Sequence, residues 1–316
     1  MPAYSIEGYL IALRSRSTHT VCVEGADDLM VVRHCLLQFV GDKDPLNRAY
    51  VIDSMDIVKS DGTTPGNSEK LKKICALLNG TTFSDKVTAL SDREYERFDI
   101  DKPEIDLGPF HINPYGHLHY TRGHSIENYF FEPEYFVRYI EFNHATALTA
   151  NHRQLLNSNW DRILVQTASL TYAIHEYHYC TKTKGLFAFR HWQHVGSDKL
   201  EIDECAIESS LSSRSIPREH SDKILTRARL LQTVFSTRLA ASRWIIHGHV
   251  GLDLLCGAIG RVMAICGVKL STCEAVNGYS DIKLKYFASQ WFDKAKSSND
   301  LFPVTFFERI ISAIED

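Results

Sequence analysis

The chain has no surplus of positive charge: 35 Lys and Arg stand against 39 Asp and Glu, a net charge of −4 over 316 residues. A uniformly basic nucleic-acid coat is thereby excluded, and any nucleic-acid contact has to come from a local patch. None of the eight cysteines forms a C-x-x-C pair, and several sit inside apolar runs. That usage predicts reduced, buried thiols and a cytoplasmic location rather than a disulfide framework. No Walker A loop, G-x-G-x-x-G turn or G-x-S-x-G elbow occurs, so the chain offers no ATPase, dinucleotide or serine-hydrolase signature of its own. The first twenty residues carry Glu7, Arg14 and Arg16 and lack the apolar core of a signal peptide. The longest apolar stretch, Val250 to Val268, is interrupted by Asp253, Arg261 and glycines, which predicts a core helix and no membrane span. Fixed-period repeats and low-complexity tracts are also missing.

What is present reads as an ordinary globular chain, 44% hydrophobic and 23% charged, with a length suited to two domains. Ser5 caps a predicted first helix whose inward face is Ile6, Tyr9, Leu10 and Leu13. A β-branched run at 20–23 predicts a buried strand. A helix with Leu29, Val32, Leu36, Leu37 and Val40 inward follows, and Gly41 is its expected stop. Further strands are expected at 50–52 and 87–90. Between them lies a helix capped by Ser68, striped by Leu71, Ile74, Cys75 and Leu78, and ended by Gly80. Strand, helix, strand, helix, strand is the signature of a parallel sheet. Prolines 103, 109 and 114 mark a loop-rich stretch, a fourth strand is expected at 117–121, and 124–139 is aromatic. From about Thr149 the pattern is helical, including one continuous periodicity from Ser221 to His247. The expectation is an α/β chain: a small parallel-sheet domain over 1–145, followed by a mainly helical domain over 146–316.

The chemistry is carried by carboxylates at strand ends. Glu24 directly follows the first strand, Gly25 permits a tight turn, and Asp28 lies one turn into the next helix. Asp92 and Glu94 follow the third strand, and alternation along an extended segment would point both to one side. Ligand sites in open parallel sheets form at the carboxyl ends of strands. Carboxylates gathered there repel one another unless a hard cation such as Mg²⁺ or Mn²⁺ sits among them. Such an ion activates water and stabilises a phosphoryl oxygen.

These residues resemble a known family. Val21-Cys22-Val23-Glu24-Gly25-Ala26-Asp27-Asp28 is similar to the first TOPRIM motif, and Ala89-Leu90-Ser91-Asp92-Arg93-Glu94 to the second. Glu94 stands where the family has Asp, which keeps the charge and lengthens the arm. His124-Ser125-Ile126-Glu127-Asn128-Tyr129 resembles a segment of TOPRIM nuclease effectors from antiphage defence systems, with more distant likeness to OLD-type nucleases. The specific motifs span about residues 20 to 130. The resemblance implies a TOPRIM domain and a metal-dependent nuclease toxin cleaving RNA, host tRNA in particular. It further implies release from a partner ATPase of the ABC type and an active homodimer. An OLD-like DNA nuclease and a non-catalytic partner-binding module are the alternatives. Glu24, Asp92 and Glu94 would be catalytic, with Glu24, Asp28, Asp92, Glu94 and Glu127 as metal ligands. Glu127 could equally buttress the aromatic helix, and His124 could be a proton shuttle or a packing residue.

Other signals are weaker. His175, His178 and Cys180 match no standard zinc spacing. His117 and His119 alternate on the fourth strand. His247-Gly248-His249 reads as a helix C-terminus with a glycine stop and dipole-favoured histidines. From Arg214 to Arg243 seven basic residues face two acidic ones. Arg214, Arg218, Lys223, Arg227 and Arg229 are therefore the expected nucleic-acid-backbone contacts, with a solvated helix face as the competing reading.

Overall fold

The computed structural model describes residues 4–40, 50–96, 98, 100, 115–144, 148–196, 198–277, 281–295 and 304–315. Gly41, Pro103, Pro109, Pro114 and the expected boundary at residue 145 lie outside the described residues. The chain divides into two compact units. The first comprises Met1–Arg93, Leu107–Arg122 and Ala288–Asp316; the second comprises Glu94–Asp106 and Gly123–Phe287.

In the first unit the strand–helix alternation produces a four-stranded, all-parallel sheet. Its strands are β1 (His19–Val23), β2 (Tyr50–Ser54), β3 (Val87–Ser91) and β4 (Leu118–Tyr120), in the order β2-β1-β3-β4. Both middle strands are buried at every position, as expected of a parallel sheet covered on two faces. Helices α1 (Ile6–Ser15) and α3 (Asn67–Leu78) bury Tyr9, Leu10, Leu13, Leu71, Ile74 and Cys75 against Cys22 and Ala89. Ser5 caps α1 as expected, accepting from the Gly8 N–H at 3.1 Å. The α3 cap differs: Gly66 occupies it, and Ser68 lies inside the helix with its hydroxyl 3.2 Å from that of Ser91. In α2 (Ala26–Val40) Val31, Val32, Cys35 and Leu36 are buried, whereas Leu37 faces outward.

The last helix, α13 (Val304–Glu315), was expected in the helical domain but packs on β1 and β3. Its Arg309 donates to the Gly116 carbonyl at 2.8 Å, and Phe306 meets His119 edge-on. A boundary at 145 therefore does not match the observed division. The 123–144 segment belongs to the second unit, and the C-terminal helix returns to the first. Sequence order is silent about such a return, because an amphipathic helix can cover any apolar face.

The second unit is mainly helical. It holds α4 (Pro133–Asn143), α5 (Ala150–Glu176), α6 (Cys180–Thr183), α7 (Glu204–Ser213), α8 (Arg218–Ser236), α9 (Leu239–Ile245), α10 (Gly248–Ile265) and α11 (Leu270–Ala275). α12 (Asp281–Ala295) begins in this unit and ends in the first. A two-stranded antiparallel ribbon, β5 (Trp192–Val195) and β6 (Lys199–Ile202), interrupts the helices of the part expected to be mainly helical. The periodicity over 221–247 is split: the chain leaves α8 at Thr237, and Arg238 adopts φ −136°, ψ 47° before α9. α10 is long and apolar enough to cross a membrane, yet 78% of it is buried within the protein. Gly257 lets α10 approach the Ala188 backbone closely, where a Cβ would clash with the carbonyl.

Candidate active site

β1 and β3 are neighbours in register, with Val23 opposite Leu90. Their ends are therefore level, and Glu24 emerges beside Ser91 and Asp92. One Glu24 carboxylate oxygen accepts both the Ser91 hydroxyl and, at 2.9 Å, the Asp92 N–H. The Glu24 carbonyl accepts the Met55 N–H at 3.2 Å, just past the end of β2. Glu24 thus ties the end of β1 to the segments ending β2 and β3, and the hydroxyl pair Ser68–Ser91 extends the network into α3. Glu24 and Asp92 are both half-buried. Two carboxylates at adjoining strand ends repel in a partly desolvated setting. The two donors on Glu24 offset part of that cost. Their oxygen chemistry suits a hard divalent cation.

Asp28 sits in the first turn of α2, and its carboxylate accepts the Gly25 N–H at 3.0 Å. This is a helix-start bond, worth about 1 kcal/mol in typical cases. Asp28 therefore has a structural task that the sequence reading did not assign.

Glu94 does not continue the strand. β3 ends at Ser91, residues 94–96 form a turn, and Glu94 is exposed with φ 52°. The alternation used to pair it with Asp92 does not hold, because the Glu94 N–H is drawn to the His124 carbonyl at 2.7 Å. A non-glycine residue held in the left-handed region costs on the order of 1 kcal/mol and often marks a functional turn. Between the two acids, Arg93 is 1% exposed, with its N–H on the Thr121 hydroxyl and its guanidinium on the Arg122 carbonyl.

Within the second unit, Asn128 organises the His124–Tyr129 segment. Its side chain accepts the Ser125 N–H at 2.7 Å and donates to the carbonyls of Arg243 and Ile246 at 2.6 and 2.9 Å. Arg243 returns a bond to the Asn128 carbonyl at 3.1 Å. This clamp sets Glu127 beside the start of α10, with its carboxylate 3.8 Å from the His249 ring nitrogen. His124 is buried, 4.4 Å from the Tyr95 ring and 4.6 Å from the His247 ring, centroid to centroid. Burial, followed by the neighbouring His247, His175 and His249, pushes its pKa well below the ordinary value. His247 caps the start of α10 rather than the end of a helix, correcting the expected dipole-favoured terminus. Burial lowers its pKa to about 4, partly opposed by Glu127. His175 stacks against Tyr95 at 4.0 Å, and His178 holds φ 60°.

Much of the basic stretch is ion-paired, in several cases with acids outside it. Arg218 meets Glu208, Arg227 meets Glu176 through two bonds of 2.8 Å, and Arg229 meets Glu204 likewise. Lys223 pairs with Glu219, Arg243 pairs with Glu132, and Arg238 donates to the Ile100 carbonyl. A window of 30 residues could not reveal Glu176, Glu204 or Glu208. Ser91, Arg93 and Asn128 were also missed; the available signal was that all three fall inside the quoted motif segments.

Among the described residues no three His, Cys, Asp or Glu side chains already stand close enough to enclose an ion. The Glu24–Asp92 pair fits a divalent cation by donor chemistry rather than as a closed cage. No protein-family model matches the chain, and no curated protein matches its sequence.

Proposed function

We propose that the chain is a metal-dependent phosphodiesterase of the TOPRIM type, acting as an RNA-cleaving effector with Mg²⁺ or Mn²⁺. The observation that carries this is the coupling of Glu24 to Asp92 at the carboxyl ends of adjacent parallel strands. The motif resemblance over residues 20 to 130 supplies the family, the tRNA substrate, the ABC-type ATPase partner and the active homodimer.

Glu24 and Asp92 would hold the ion, which when bound supplies an activated water and neutralises phosphoryl charge. Ser91 keeps one Glu24 oxygen fixed, so the carboxylate meets the ion in a set orientation. The Asp92 N–H does the same from the backbone, and Met55 prevents the strand end from drifting.

Purified protein is incubated with Mg²⁺ or Mn²⁺ and either total tRNA or plasmid DNA, alongside Glu24→Ala. Cleavage of tRNA, lost in the variant, supports the reading. Cleavage of plasmid alone favours an OLD-like DNA nuclease. Cellular toxicity that persists in Glu24→Ala, without cleavage of either substrate, favours a partner-binding module.

A further inference from the structure

The second unit buries a lysine that the proposed nuclease site does not use. Lys283, in the first turn of α12, is 2% exposed. A lysine is rarely taken out of water unless something nearby engages its side-chain nitrogen. Here Nζ donates to the Val276 carbonyl at 2.8 Å and to the sulfur of Cys256 at 3.3 Å. It also lies 5.4 Å from the centre of the Tyr139 ring, within cation–π range. Cys256 stands in the middle of α10 and is fully buried. Burial pushes its thiol up, while the charge of Lys283 and its hydrogen bond to the sulfur oppose that shift. A nitrogen and an oxidisable sulfur, 27 residues apart in the chain, are thus held in contact away from bulk water.

We propose that Cys256 and Lys283 are an oxidative modification site, joined by hydrogen peroxide through a reversible sulfur–nitrogen bond. In the first step the Cys256 sulfur, its proton released, attacks one peroxide oxygen. The S–O bond forms, the O–O bond breaks, and the departing oxygen takes up the proton and leaves as water. Sulfur is oxidised by two electrons and peroxide is reduced. The resulting sulfenic acid condenses with a thiol or a nitrogen within reach, and Lys283 Nζ is that nitrogen. The unprotonated amine attacks the sulfur. The S–N bond forms, the S–O bond breaks, and the leaving hydroxide takes an amine proton and departs as a second water. Burial slows the first step, because the thiolate is the reactive form. Burial also keeps bulky thiols from the sulfenic acid, which leaves the lysine to capture it. Peroxide is neutral and little larger than water, so it needs only local opening to enter. The bridge closes a loop that carries α11, and it fastens α12 to α10 as a disulfide would. This inference does not depend on the nuclease reading, because it uses no residue of the first unit.

The full chain is treated with hydrogen peroxide at concentrations that leave it folded by circular dichroism. It is then unfolded in an alkylating agent, digested with trypsin and weighed by mass spectrometry. The expected product joins peptide 244–261 to peptide 270–285, lighter than their sum by two hydrogens and uncleaved after Lys283. Cys273 lies in the second peptide, so its alkylation in the linked product excludes a disulfide to Cys256 of the same mass. A dithiol reductant should release both peptides. Bridging should raise the Tm, and the reductant should return it. Lys283→Arg, which keeps the charge and removes the primary amine, should abolish the link, as should Cys256→Ser, while Glu24→Ala with Asp92→Asn retains it. The wild-type product decides the matter even where a variant fails to fold. Cys256 recovered from treated wild type only as free thiol or sulfinic acid, a link made through Cys273, or a link that persists in folded Lys283→Arg overturns the assignment.

Discussion

The backbone N–H of Asp92 donates to the Glu24 carboxylate at 2.9 Å, joining the end of β3 to the end of β1. The bond comes from the main chain, so it survives substitution of the Asp92 side chain. Asp92→Asn should therefore fold normally and lose activity by about two to three orders of magnitude. Wild-type cleavage by a folded Asp92→Asn protein would remove the proposed site.

Ser91 acts through Glu24. Ser91→Ala removes the hydroxyl donor and also breaks the contact with Ser68. The expected cost is about 1 kcal/mol of stability and a roughly 10- to 100-fold weaker affinity for Mn²⁺. Urea titration and calorimetry measure the two effects separately.

Gly248 lies where any Cβ would collide with the Ser125 hydroxyl and the Glu127 carboxylate. Both obstacles sit in a buried, clamped turn, so neither moves freely. Gly248→Ala should destabilise the protein by about 1–3 kcal/mol. A midpoint in urea equal to that of wild type would show that the turn yields.

His19 is buried, bonded to the Thr88 hydroxyl at 2.9 Å, and its pKa is lowered to about 4 by burial and then by Arg309. The unfolded chain binds its proton near pH 6.5, the folded chain only near 4, so the unfolded state holds more protons between those values. The stabilisation is complete above about pH 6.5 and is lost as the pH falls towards 4, by about 3 kcal/mol. His19→Gln should flatten that part of the stability–pH curve, and an unchanged slope would assign the acid sensitivity to other groups.

The ion-paired face of α8 should behave as a solvated surface. Arg218→Gln with Arg227→Gln is expected to cost no more than about 1 kcal/mol and to leave the salt dependence of RNA binding unchanged. A salt slope reduced by about one per residue would instead show that these arginines exchange their acidic partners for phosphate.

The sequence by itself determined the parallel sheet, since β-branched runs alternating with amphipathic stripes have few other ways to bury their apolar faces. It also determined that Glu24 and Asp92 follow the first and third strands, because position after a strand is local. Local pattern could not tell which acids partner the arginines of α8, where α13 returns, or that Glu94 leaves the extended path at φ 52°. Each of those depends on a contact across tens or hundreds of residues: Glu176 with Arg227, α13 with β3, the His124 carbonyl with the Glu94 N–H. The histidines show the same division. Their spacing was visible, but only the Asn128 clamp, reaching 115 and 118 residues along the chain, decided that His124 and Glu127 meet His247 and His249. Periodicity encodes which face of an element is apolar; which element covers it is settled by packing in three dimensions.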